Sequence, residues 1–281
     1  MPDHGTVTDL YGVTRETSEP QDVGLSVTYP FAASVVSPTA QIVRADIRGP
    51  YQTGIRLEGC WNADLERCFV NGDLGSEAEY ANPQQMQVGI DLVGTMDANI
   101  DKCRVTSANI GIRASTHPDG FPRCEGLEID KSFLMHVNVG IELNGAWLGG
   151  WPTPSVELSP RHIAFNEFGI KATNQSFLDI HNVNLYATHY RRRQWCIYLV
   201  GCREVTIVDN NYWCNWPPGD AGFFGAIVLD QCENVTIRGG TFVWNTTIAL
   251  HATASCRNVR TEGRVWDELA KAGKIANYAQ N

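Results

Sequence analysis

AIVLDQCENVTIRGGTF, residues 226–242, decides the fold. Ile227 and Leu229 alternate with outward positions, a turn follows, Val235 and Ile237 alternate again, and Gly239-Gly240 make a corner. A period of two is the spacing of a half-buried strand, so the stretch reads as two short strands. The same template fits four other stretches without a gap. Residues 54–70 place Ile55, Leu57, Ala63 and Leu65 at the matching positions, and residues 89–105 place Ile90, Leu92, Ala98 and Ile100 there. Residues 169–185 supply Ile170, Ala172, Leu178 and Ile180, and residues 196–212 supply Ile197, Leu199, Val205 and Ile207. Two further copies open a loop in the middle: Ile112 and Ala114 go with Leu127 and Ile129, and Ile141 and Leu143 go with Ile163. An eighth begins at Ile248 and Leu250 and resumes at Val259.

The tightest spacing, Ile90 to Ile112, is 22 residues. A repeat of that length signals a solenoid, and the alternation makes it an all-β one. One coil cannot bury its apolar side alone, so the coils must stack. Ile55, Ile90, Ile112, Ile141, Ile170, Ile197, Ile227 and Ile248 are expected to form one buried column.

The chain divides accordingly. Residues 1–30 are polar and show no clear coil, and read as a lead or cap. Residues 31–265 carry the solenoid, interrupted by insertions at 71–88, 116–125, 147–160, 187–195 and 213–225. Residues 266–281 form a cap and tail: WDELAKAGK reads as a short helix closed by Gly273. The 281 residues carry a net charge of −9, which argues against nucleic acid as a partner. No apolar run is long enough to span a membrane as a helix, and the N-terminus shows no export signal. Of nine cysteines, Cys60, Cys202, Cys232 and Cys256 share one turn position and Cys68 and Cys103 another, with no CxxC pair. They read as a ladder of buried free thiols, not as disulfides or a metal site. No cofactor is expected.

Outward residues also stack in columns. Arg56, Asp91, Arg113, Glu142, Lys171 and Tyr198 alternate in sign and read as a charge ladder that sets register. Nine residues beyond each leading Ile stand Asp64, Asn99, Glu128, His162 and Asp179, and eleven beyond stand Glu66, Asp101, Asp130, Ala164 and His181. Glu128, His162, Asp179, Asp130 and His181 are therefore candidates for acid–base work on a glycosidic bond. Glu128 and Asp179 are expected about 9–10 Å apart, near the upper end for inverting carboxylates, with His162 between them. Arg67, Lys102 and Lys131 follow Glu66, Asp101 and Asp130, and a neutralised corner is the competing reading of that second column. Asp119, Glu157 and Asp220 are the reserve carboxylates, on loops. The insertions also carry Trp147, Trp151, Arg192, Trp195, Trp213 and Trp216, candidates for stacking on sugar rings and meeting acidic groups.

The pattern GIxLxGCxNxxIxxCxVxG, carried by residues 54–72, 89–105 and 226–242, resembles the right-handed parallel β-helix of the pectin-lyase-like superfamily. Within it, the chain is most similar to bacteriophage tailspike depolymerases. That resemblance implies a homotrimer on the virion tail that binds and cleaves bacterial surface or capsular polysaccharide. The alternatives are a secreted polysaccharide lyase or epimerase and a non-catalytic glycan-binding or structural β-helix. The NTD, DD and GHG motifs of polygalacturonases, a pectate-lyase calcium cluster and the acidic DDFGA-like opening of tailspike helices are absent from the sequence.

Overall fold

The chain is a single right-handed parallel β-helix, seen in a computed structural model that describes residues 7–17, 21–29, 39–72, 86–118, 124–146, 152–188, 194–214, 223–242 and 246–276. Each coil has three faces. The first is a ten-stranded parallel sheet that runs from Val7–Tyr11 through Thr39–Val43, Trp61–Glu66, Met96–Asp101, Leu127–Asp130, Thr153–Ser159, Gln175–His181, Arg203–Val208 and Glu233–Arg238 to Arg257–Glu262. The second begins at Thr14–Glu16 and includes Phe69–Asn71, Asn184–Ala187 and Asn211–Cys214. The third includes Gln21–Thr28, Tyr51–Glu58, Met86–Val93, Gln194–Val200 and Phe224–Asp230. Second and third faces join into one sixteen-stranded sheet, because Arg104–Ser115, Phe133–Asn144 and His162–Thr173 run around the corner unbroken.

The interior column forms as the alternation predicts, with one change. Ile55, Ile90, Ile112, Ile141, Ile170, Ile197 and Ile227 pair coil to coil, and all are fully buried. Each such side chain contributes about 1.5–3 kcal/mol by leaving water. In the last coil Leu250, not Ile248, takes the place, because Ile227 pairs with Leu250 and Ile248 lies opposite Gly225.

Three boundaries differ from the expectation. Thr153–Ser159 is a strand of the first face, not part of an insertion, and Val156 and Leu158 are its inward residues. The coil opened by Ile141 therefore continues with Val156, while Ile163 pairs with Leu134 and Leu185 on the second face. The polar residues near the N-terminus contribute strands too: Val7–Tyr11 pairs with Thr39–Val43, and Leu25 pairs with Ile55. A terminal coil covers only one neighbour, so its outer residues can be polar. The cap helix spans Arg264–Lys271, beginning two residues earlier than its sequence suggests. Its Trp266 is buried, donates Nε1–H to the Gly239 carbonyl at 3.0 Å and meets Phe242 edge-on.

The outward charge ladder is paired. Arg113 makes two hydrogen bonds to Asp91, at 2.9 and 2.8 Å, and Lys171 reaches Glu142 at 2.9 Å. Asp91 is fully buried between Arg56 and Arg113, so this ladder is structural.

All nine cysteines are free and eight are buried, with Cys256 partly exposed. Burial pushes the thiols of Cys60 and Cys124 up to about 12. The folded protein therefore holds these protons more tightly than the unfolded chain. Their contribution to stability is complete below the ordinary thiol value of 9.0 and is lost as pH rises from there through about 12. A thiol-specific reagent at pH 8 should spare the eight buried cysteines in native protein and modify all nine in denaturant, and urea melts should show stability falling above pH 9. Rapid native labelling of Cys60 or Cys124 would contradict this packing.

Candidate functional site

The first face carries an outward row in which Gln41, Asp64, Asn99, Glu128, Glu157, Asp179 and Thr206 stand directly above one another. Glu128 and Asp179 are two coils apart, as their spacing predicts. The residue between them is Glu157, not His162. His162 lies on the second face, opposite Phe133 and Asn184, because Thr153–Ser159 fills the intervening place on the first. Ala164 likewise belongs to the second face, opposite Tyr186. Glu157, a reserve loop carboxylate by sequence, is thus a strand residue at the centre of the row. Adjacent carboxylates are about 4.8 Å apart at the backbone, the ladder spacing.

These three carboxylates line a shallow groove of about 310 Å³ with Gly126, Leu127, Ser155, Val156 and Phe177. Glu128 and Glu157 are exposed, whereas Asp179 is half-buried with Oδ1 shielded from water and without a hydrogen-bond partner among the described residues. His181 sits beside them. Its Nε2 lies 3.0 Å from Glu157 Oε1, and its Nδ1 lies 3.1 Å from the Asn182 amide nitrogen. An amide nitrogen donates, so Nδ1 accepts and Nε2–H is turned toward Glu157. Asn182 is the left-handed corner residue, φ 58°, between the first and second faces.

Asp130 behaves differently. Burial opposes its ionisation, but hydrogen bonds from Lys131 and from Ser159, the latter at 2.9 Å, outweigh it and hold the carboxyl below its ordinary value. Arg67 meets Glu66 at 3.3 Å, and Lys102 meets Asp101. This is the neutralised corner, and it leaves Asp130 ionised and engaged.

Sequence reasoning missed Phe177. Every strand of the first face from Trp61–Glu66 onward has a left-handed residue at one register position, within the strand or, for Gly126, just before it: Asn62, Asp97, Gly126, Ser155, Phe177, Glu204, Asn234 and Asn258. Asn, Asp and Gly tolerate that conformation, and a bulky aromatic does not. Phe177 nevertheless adopts φ 51° and is 57% exposed beside the carboxylates. A residue both strained and apolar in water points to a role other than stability.

The aromatic candidates disperse. Trp195 is buried on the third face, edge-on to Phe223, because Gly225 of the next coil leaves room for its ring. Trp213 is 50% exposed but stands on the second face, away from the groove. Trp147, Trp151, Arg192 and Trp216, with Asp119 and Asp220, lie outside the described residues. Among the described residues no cluster of His, Cys, Asp and Glu has the geometry to hold a metal ion, and no helix is long and apolar enough to cross a membrane. No family model matches the chain, and no curated protein matches it.

Phe177→Asn should raise stability by about 1 kcal/mol, since asparagine relieves the left-handed strain. If the ring serves a ligand, the same change should weaken binding of that ligand about tenfold. Urea denaturation and titration on the same variant check both, and a destabilised variant would remove the argument from strain.

Proposed function

We propose that the protein binds a bacterial surface polysaccharide along its first face and hydrolyses it, in the manner of a tailspike depolymerase. The observation that carries this reading is the unbroken row Glu128–Glu157–Asp179 beside the strained, exposed ring of Phe177. The apolar face of a sugar would rest on Phe177, placing the next glycosidic bond over the carboxylates.

Neighbouring carboxylates one coil apart suit retention of configuration, which calls for about 5–5.5 Å between the acid groups. In the proposed reaction Asp179 is the nucleophile: it lines the groove, and its half-buried position limits its motion. It attacks the anomeric carbon as the bond to the leaving oxygen breaks, and Glu157 delivers a proton to that oxygen. Water then attacks the glycosyl ester, Glu157 takes the proton back, and Asp179 is released. Glu157 is suited to exchange protons because it is exposed and in contact with His181, whose ring can carry a proton to solvent. Glu128 extends the row and would hydrogen-bond sugar hydroxyls.

Glu157→Gln and Asp179→Asn keep shape and remove ionisation. Each should cut the release of reducing ends from capsular polysaccharide by about a hundredfold or more while binding persists. Cleavage near the wild-type rate in both variants would refute the assignment, and binding without new ends in the wild type would make the protein a glycan-binding β-helix without catalysis.

The tailspike resemblance also leads us to propose a homotrimer on the virion tail. Light scattering at micromolar concentration should return three times the 31.1 kDa chain mass, and a stable monomer would count against it.

A further inference from the structure

On the second face, around the corner from the carboxylate groove, lies a cleft of about 250 Å³ lined by His162, Asn184, Leu185, Tyr186 and Trp213. It is built on strands, not loops. His162 begins the strand His162–Thr173 and pairs with Asn184 of the next coil, and Tyr186 pairs with Trp213 of the coil after that. The His162 and Tyr186 rings tilt toward one another at 32°, with centroids 6.0 Å apart.

Two features give the cleft its chemistry. First, its aromatic surface is accessible, since Trp213 is half exposed. Second, its polar groups are available. The Asn184 carbonyl oxygen accepts from Asn211 at 2.7 Å, which fixes the amide and leaves its NH2 without an acceptor among the described residues. The His162 ring nitrogens, the Tyr186 hydroxyl and the Trp213 indole N–H likewise have no hydrogen-bond partner there. Among the described residues no Asp, Glu, Lys or Arg lines the cleft, and burial lowers the His162 pKa, which favours the neutral ring. Flat apolar surface edged by neutral donors and acceptors matches a sugar ring, whose C–H face stacks while its hydroxyls bond at the rim. The volume is that of a site for one ring.

We propose that this cleft is a second carbohydrate site, binding an uncharged pyranose on the rings of Trp213 and Tyr186 and separate from the carboxylate groove. It does not depend on the groove being catalytic.

Saturation-transfer NMR with the methyl pyranosides of glucose, galactose, mannose, N-acetylglucosamine and rhamnose tests it. At least one sugar should receive saturation at its ring C–H protons. Trp213→Ala should reduce that signal about tenfold, and Tyr186→Ala should do the same. Trp213 is exposed, so its removal should spare the fold, as circular dichroism would verify. Transfer to none of the sugars overturns the proposal. Transfer that survives both Trp213→Ala and Tyr186→Ala also overturns it, while leaving the function proposed for the groove intact. A drop in oligomeric mass on Trp213→Ala would make this face an interface between copies and would equally overturn it.

Discussion

Everything in this molecule depends on one constraint: a coil of 22 to 35 residues cannot close its own core. Ile90 is buried only because Ile55 lies beneath it and Ile112 above. Parallel hydrogen bonding between coils then forces each residue to sit over its register partner, inside and out. Inside, this produces the isoleucine column and the ladder of thiols. Outside, it brings like over like, which the chain resolves in two ways. On the third face the signs alternate, so Arg56, Asp91 and Arg113 neutralise one another. On the first face Glu128, Glu157 and Asp179 stand in sequence without an intervening cation.

That contrast is the basis of the functional reading. Where register alone is at stake, the sequence supplies a partner: Lys131 for Asp130, Lys102 for Asp101, Lys171 for Glu142. Glu157 is met by His181, and next to the row Phe177 occupies a backbone conformation suited to asparagine or glycine. Like charges in a row and a bulky left-handed residue both work against folding. Their coincidence in one groove is what a binding surface maintained at the expense of stability looks like.

The parts of this arrangement legible in the sequence are those written in strict alternation. The inward Ile and Leu positions mark the coils, and counting from them places Glu128 and Asp179 two coils apart. Counting fails where the alternation is masked. Val156 and Leu158 sit among Pro152, Pro154 and Pro160, whose composition reads as loop, so the strand they form is overlooked and His162 is assigned to the wrong face. The left-handed column has no signature at all, since Asn, Asp, Gly, Ser, Phe and Glu share it. Phe177 reads as an ordinary strand residue until its backbone is seen. At Ile248 two apolar residues compete for one inward place, and only the pairing with Ile227 selects Leu250.

The most direct test of the carboxylate row is the position of a bound substrate. Crystals of Asp179→Asn soaked with an oligosaccharide from a bacterial capsule should show a sugar ring over Phe177 and a glycosidic oxygen within hydrogen-bond reach of Glu157. A saccharide bound elsewhere with this groove empty, or a neighbouring subunit packed over Glu128, Glu157 and Phe177, would contradict the account.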